Sequence, residues 1–230
     1  MSIKAVSFDI GGTLVRYNNP LNWKSLYEPA LMRVSEQCGF TMSAADIKTA
    51  SAVLSKYNTR ENPREKEVTS EIIFTEILDA LNLPHDNLDI ARKAFYGFFQ
   101  SDAVCYDDAE DTLRRLRTVG KQIGALTDVA YGMDNSFSLQ DIASIYHHFD
   151  KVLTSVDIGY RKPHAAGFLK LLNAFNISPA EMIYVGDEQK DIDGANALGI
   201  VSVLIDRNNS SPDWGQTHTI YCLADICSLV

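Results

Sequence analysis

The sequence has little of what marks most specialised chains. Its 230 residues hold only four cysteines, Cys38, Cys105, Cys222 and Cys227, with no C-x-x-C pair and no histidine near them at zinc-finger spacing. A structural zinc site or a disulfide framework is therefore not expected; buried free thiols in a reducing compartment are. No apolar run approaches the roughly 20 residues a helix needs to cross a bilayer. Met1 to Phe8, with one lysine and no cleavage site, is too short for a secretory signal. A cytoplasmic location follows as the expectation. Positive charge is in deficit: 21 Lys and Arg stand against 30 Asp and Glu, a net charge of −9. Such a field repels nucleic acid and anionic lipid, so neither is expected as a partner. Internal repeats and low-complexity tracts are missing too, which excludes solenoids and disordered arrays.

What is present is ordinary globular material, 46% hydrophobic and 22% charged. Ile3 to Phe8 reads as a buried strand that ends in Asp9-Ile10-Gly11-Gly12-Thr13, a glycine-rich turn. From about Leu21 to Ser101 the pattern is helical only. Apolar residues recur at three- and four-residue spacing over Trp23–Cys38, Ala44–Tyr57, Val68–Leu81 and Leu88–Phe99, and Ser43 with Asp46 offers a helix start. Asn58 to Lys66, with Pro63, reads as a loop. Beyond Asp107, helices and strands alternate. Helices are expected over Ala109–Val119, His164–Phe175 and Asp191–Leu198, and strands over Gln122–Thr127, Lys151–Thr154, Met182–Val185 and Val201–Ile205. Phe168, Leu169, Leu172 and Phe175 form the expected buried stripe of one helix, and Ser178-Pro179-Ala180-Glu181 resembles a capping box. Alternation of this kind implies a parallel sheet covered on both faces. The fold class is therefore α/β, a Rossmann-like three-layer core with an inserted all-helical domain. Residues 1–16 and 104–230 would form the core and residues 17–103 the insertion.

Ligands of open parallel sheets sit beyond the carboxyl ends of the strands. At those ends the chain places Asp9 with Gly11-Gly12-Thr13, then Thr127-Asp128, then Gly159-Tyr160-Arg161-Lys162-Pro163, then Gly186-Asp187-Glu188 with Asp191. Together they supply a carboxylate nucleophile, a hydroxyl and backbone amides for a phosphoryl group, a lysine for its charge, and further carboxylates for magnesium. His147-His148 is read as structural, because neighbours on a helix face different ways. Arg207 to His218 is read as a surface loop.

Asp9-x-Gly11-Gly12-Thr13, Thr127, Lys162-Pro163 and Gly186-Asp187-x-x-x-Asp191, in this order, resemble the four motifs of haloacid dehalogenase-type hydrolases. The helical insertion resembles the cap of the family's phosphoglycolate phosphatase-like branch. The resemblance implies that Asp9 attacks phosphorus and forms an aspartyl-phosphate, that Thr127 holds the phosphoryl oxygens, and that Lys162 neutralises them. It implies further that Gly12, Thr13 and Asp128 contact the phosphate. Magnesium would be bound by Asp9, the Gly11 carbonyl and Asp187, with Asp191 in support. The expected partner is a phosphorylated small molecule.

One position departs from the pattern. Phosphatases of this family carry a second aspartate two residues after the nucleophile, as general acid, and here Gly11 stands in its place. Losing such a group typically costs a factor of about 10² to 10⁴. Three readings follow: a phosphatase that is slow, or whose leaving group needs little protonation, with Asp128 as candidate substitute acid; a carbon–halogen or carbon–phosphorus hydrolase; or a protein that binds a phosphorylated ligand without turnover. An acid reinstated as Gly11→Asp is expected to raise turnover of alkyl phosphates if it fits the site.

Overall fold

A computed structural model describes residues 2–100 and 102–230. The chain runs through β1 (Ala5–Phe8), β2 (Val15–Tyr17), α1 (Tyr27–Cys38), α2 (Ala44–Tyr57), α3 (Ser70–Ala80), α4 (Leu88–Phe99), β3 (Ala103–Cys105), α5 (Ala109–Thr118) and β4 (Gln122–Thr127). It continues through α6 (Asn135–Ser138), β5 (Lys151–Thr154), α7 (Ser155–Ile158), α8 (Ala165–Phe175), β6 (Met182–Gly186), α9 (Gln189–Asn196), β7 (Val201–Ile205) and β8 (His218–Ile220). Six strands form one sheet in the order β5-β4-β1-β6-β7-β8, and every pairing in it is parallel. Counted along the core alone this is the Rossmann order, which reverses between β1 and β6 and opens a crevice there.

The strands are apolar because both of their faces are covered. Val6 and Phe8 of β1, Ile123 and Ala125 of β4, and Ile183 and Val185 of β6 point into one core with Leu113 and Leu116 of α5. Ala5, Leu126, Met182 and Tyr184 point the opposite way, onto Phe168, Leu171, Leu172 and Phe175 of α8. The period of two along each strand thus feeds two separate cores. Leu169, expected in the buried stripe, is 43% exposed, and Leu171 takes its place. Spacing of three, four and seven from Phe168 selects positions 171, 172 and 175, while 169 lies about 100° further round.

The four helices of the insertion build their own core around Leu31, Leu54, Phe74, Phe95 and Tyr96. Two helix starts differ from expectation for clear physical reasons. The first helix begins at Tyr27 and follows a tight turn over Trp23–Leu26, since Pro29 lacks an amide hydrogen and fits only the first turn. The last helix begins at Gln189, where Glu188 and Asp191 form its capping box. Strands β2 and β3 form an antiparallel pair where chain enters and leaves the insertion. These strands and β8 are too short to carry periodicity and were not expected. Among the described residues no helix is long and apolar enough to cross a membrane.

The two bodies are joined through Tyr131, which follows β4 but packs into the helical core. Its hydroxyl lies 2.6 Å from that of Tyr27, its carbonyl accepts from the Tyr96 hydroxyl at 2.8 Å, and its ring stacks on Trp23 at 5.4 Å. The next residue, Gly132, has φ +62°, and a Cβ there would stand 1.9 Å from the Val68 carbonyl oxygen. Gly132→Ala is therefore expected to cost about 1–3 kcal/mol from backbone strain alone. Calorimetry should show melting lowered by roughly 2–4 °C for each kcal/mol in a chain of this size, with altered Trp23 fluorescence as the local sign.

Candidate active site

Asp9 stands one residue past the last β1 pairing, and its amide donates to the Val185 carbonyl at 2.8 Å. Thr127 ends β4 and Asp187 follows β6, so register alone brings these three residues to one edge of the sheet. Lys162 reaches the same place from the segment after α7. Its ammonium donates to Asp9 Oδ1 at 2.6 Å, to Asp191 Oδ1 at 2.6 Å and to the Tyr184 hydroxyl at 3.3 Å. Burial works against the charge on Lys162 and is the largest single influence, yet Asp191 and Asp9 outweigh it and push the pKa well above the ordinary lysine value.

Asp9, Asp187 and Asp191 each bring a carboxylate oxygen to within 4.8 Å of the others. Their negative charge exceeds what one ammonium balances. Burial first, then Asp9 and Asp191, raise the Asp187 carboxyl to about 8, and burial raises Asp191 to about 6 against the pull of Lys162. Three crowded carboxylates, two of them buried and one partly so, are a donor set suited to a hard divalent cation with oxygen ligands. Gly186 is needed for this crowding, because a Cβ there would lie 2.4 Å from the Asp191 Cβ. Gly12 is needed for the same reason, with φ +78° and a Cβ position only 2.0 Å from Asp187 Oδ2.

Above this cluster lies a cavity of about 130 Å³. That is close to the roughly 150 Å³ of a cavity that takes up benzene, so the space admits a small organic group. Asp9, Gly11, Thr127 and Asp128 line it, together with Arg60, Arg161 and Lys190 on one side and Leu21, Trp23, Tyr131 and Met133 on another. Lys162, Asp187 and Asp191 lie outside this lining and reach the cavity through Asp9. Gly12 and Thr13, expected at the phosphate, are occupied elsewhere: the Gly12 amide donates to the Val15 carbonyl at 2.7 Å, and the Thr13 hydroxyl to Asp187 Oδ1 at 3.3 Å. They position Asp187.

Asp128 lines the cavity, as the substitute-acid reading requires, and it stands among cations. It accepts from the Lys162 amide at 3.0 Å, and Lys190 Nζ lies 3.1 Å from its Oδ2 as an ion pair outside hydrogen-bond alignment. Although burial opposes it, Lys190, Lys162 and Arg161 hold the carboxyl below its ordinary pKa and keep it ionised. Gly11→Asp would also press on Tyr17, for a Cβ at Gly11 would meet Tyr17 Cε2 at 3.1 Å and the ring would have to give by a few tenths of an ångström.

Several side-chain pairings at the site carry no sequence signal. Arg161 is buried and paired with Glu67 of the insertion, and it donates to the Val129 carbonyl at 2.8 Å. Arg60 pairs with Glu188 across the cavity mouth. Tyr17 donates to Asp141 Oδ2 at 2.8 Å. Nothing in a sequence pairs residues 128 positions apart, as Arg60 and Glu188 are. His147 and His148, expected to diverge, have ring centroids 4.0 Å apart and tilted by 39°, in a tight turn and not an α-helix.

This fold and site define a hydrolase class, and the chain belongs to it: the haloacid dehalogenase-like hydrolase family model matches residues 3–199. Among curated relatives, phosphoserine phosphatase of Thermus thermophilus is 34% identical over 132 residues, 54% of this chain and 52% of that protein. Phosphoglycolate phosphatase of Escherichia coli is 25% identical over 210 residues, 87% of this chain and 80% of that protein. The chain thus spans about half the length of the first of these relatives. Among solved structures, a 2-haloacid dehalogenase from Pseudomonas syringae superposes with a TM-score of 0.70 at 18% identity, covering 99% of this chain and 97% of that one. A haloacid dehalogenase-type phosphatase from Thermococcus onnurineus superposes with a TM-score of 0.61 at 22% identity, covering 99% and 97%. These likenesses establish the fold.

The raised carboxyls generate a pH prediction. An unfolded aspartate titrates near about 3.9, so between there and about 8 the metal-free folded protein binds more protons at Asp187 than the unfolded chain does. Stability of the metal-free protein is therefore expected to fall as pH rises through that window, the sign required when a folded pKa is raised. Magnesium should reverse the fall and displace up to about one proton per ion near pH 7. Calorimetric titration in buffers of different ionisation enthalpy measures that release.

Proposed function

We propose that the protein is a magnesium-dependent phosphatase of small phosphorylated molecules, with Asp9 as nucleophile. The observation that carries this reading is the placement of Asp9: it faces the cavity, its Oδ1 is held by Lys162, and Asp187 and Asp191 crowd in behind it. Magnesium held by Asp9, Asp187 and the Gly11 carbonyl, with Asp191 supporting through Lys162, would supply the positive charge that lets these carboxylates accept a phosphoryl group. Lys162 holds Asp9 Oδ1 by a direct hydrogen bond and so aims it. Thr127, on the cavity wall, offers its hydroxyl to the phosphoryl oxygens. Asp9 attacks phosphorus, the leaving group departs, and water then cleaves the aspartyl-phosphate. The two relatives named as phosphatases of phosphoserine and phosphoglycolate support a small phosphorylated metabolite as substrate.

The same reading divides the chain into a catalytic core of residues 1–16 and 104–230 and a helical cap of residues 17–103. Supporting this division, the insertion has its own apolar core and contributes Leu21, Trp23 and Arg60 to the cavity wall. A lid of this kind excludes water and reads the leaving group. A cytoplasmic setting fits four free cysteines.

The test is a screen of phosphorylated metabolites, acyl phosphates, phosphonates and haloacids, with and without magnesium. Phosphate release should require the ion, and Asp9→Asn should lower it about 10⁴-fold or more, as loss of a nucleophile does. Halide release without metal would replace this reading by a dehalogenase, and ligand binding without any turnover by a binding protein.

A further inference from the structure

The proposed reaction lacks the proton donor that Gly11 removes, and a different residue fills the space. A Cβ on Gly11 would stand 3.1 Å from Tyr17 Cε2 and 3.8 Å from the Tyr17 hydroxyl, so the phenol packs directly against the position from which the missing acid would project. Tyr17 comes from β2, which pairs with β3 through Tyr17 opposite Ala103. Its hydroxyl donates to Asp141 Oδ2 at 2.8 Å, and both residues line the cavity beside Asp9.

Four carboxylic acids line that cavity: Asp9, Asp128, Asp141 and Glu188. Lys162 pairs with the first, Lys190 with the second, and Arg60 and Lys190 with the fourth. Asp141 alone has no cationic partner among the described residues. Its titratable neighbours are Tyr17 and Asp102. Burial, and secondarily Asp102, raise its carboxyl to about 6 although the Tyr17 hydrogen bond opposes them. A carboxyl so placed can both give and take a proton near neutrality, which general acid–base catalysis requires.

We propose that Tyr17 and Asp141 form a dyad that replaces the missing acid, Asp141 as proton source and acceptor and the Tyr17 hydroxyl as the bridge to the leaving oxygen. This rests on the phosphatase reading. In the first half-reaction an Asp9 oxygen bonds to phosphorus and the bond from phosphorus to the leaving oxygen breaks, its electron pair staying on that oxygen. The oxygen takes the phenolic proton of Tyr17 as Tyr17 takes the carboxylic proton of Asp141, so an alcohol departs and Asp141 is left ionised. The 2.8 Å contact between the Tyr17 hydroxyl and Asp141 Oδ2 is short enough to pass that proton. In the second half-reaction water attacks phosphorus and passes a proton through Tyr17 to Asp141. The bond from phosphorus to Asp9 breaks with its pair on Asp9, and inorganic phosphate leaves.

The test compares wild type, Tyr17→Phe and Asp141→Asn, each with magnesium and with folding checked by circular dichroism. Single-turnover release of the leaving group is measured from an alkyl phosphate, whose alkoxide needs a proton, and from 4-nitrophenyl phosphate, whose phenolate does not. The ratio of alkyl to nitrophenyl rates should fall by about 10² or more in both variants. Tyr17→Phe keeps the ring in place, so packing alone does not produce that change. A ratio that stays within about threefold of wild type, both rates falling together, assigns the pair a structural role and overturns the dyad. A wild type that turns over nitrophenyl phosphate but no alkyl phosphate also overturns it and leaves the phosphatase reading standing. Failure of wild type to transfer phosphate from either substrate sinks both.

Discussion

One ammonium group organises this molecule. Lys162 Nζ lies 2.6 Å from carboxylate oxygens of both Asp9 and Asp191, and all three side chains are nearly or fully out of solvent. Burying an ion costs several kcal/mol even after the protein relaxes. That cost is met only because the cation sits between two anions and also donates to a phenol, Tyr184, whose hydroxyl is anchored on the Leu126 carbonyl. Removing the lysine would leave carboxylates crowded in a dry pocket with nothing to balance them. The sheet edge, the two glycines that let Asp187 and Asp191 approach, and the aim of Asp9 all presuppose this contact.

Closure of the cavity has a different physical basis. The ion pair of Arg60 with Glu188 bridges the mouth, but its side chains are 41% and 24% exposed. Exposed pairs of this kind contribute about 0–1 kcal/mol. Tyr131, by contrast, is buried in the aromatic cluster of the helical body with Trp23, Tyr27 and Phe95, and its segment begins immediately after Thr127 and Asp128. Aromatic packing therefore sets how the two bodies meet, and the ion pair acts as a weak, breakable latch.

Asp128 and Asp141 show how environment assigns different tasks to one residue type. Both are aspartates on one cavity wall. Three cations hold the first ionised, whereas burial and a neighbouring carboxylate keep a proton within reach of the second. Sequence proximity to Thr127 singled out Asp128, but adjacency along the chain says nothing about which charges converge on a side chain from elsewhere.

Much was legible in the amino-acid order because it is governed by local physics. Period-two and helical apolar spacing identified the strands and helices of both bodies, with Ala44–Tyr57 and Gln122–Thr127 matching to the residue. The rule that ligands gather beyond the carboxyl ends of parallel strands brought Asp9, Thr127, Lys162, Asp187 and Asp191 to notice together. Tertiary structure alone decided what depends on distant partners: that the hydroxyl of Thr13 donates to Asp187, that Tyr17 packs against Gly11, and that Asp141, far along the chain, has no cation beside it among the described residues. Motifs record residue types at fixed spacing, but hydrogen bonds and burial are set by convergence of segments over a hundred residues apart. No local pattern encodes that convergence.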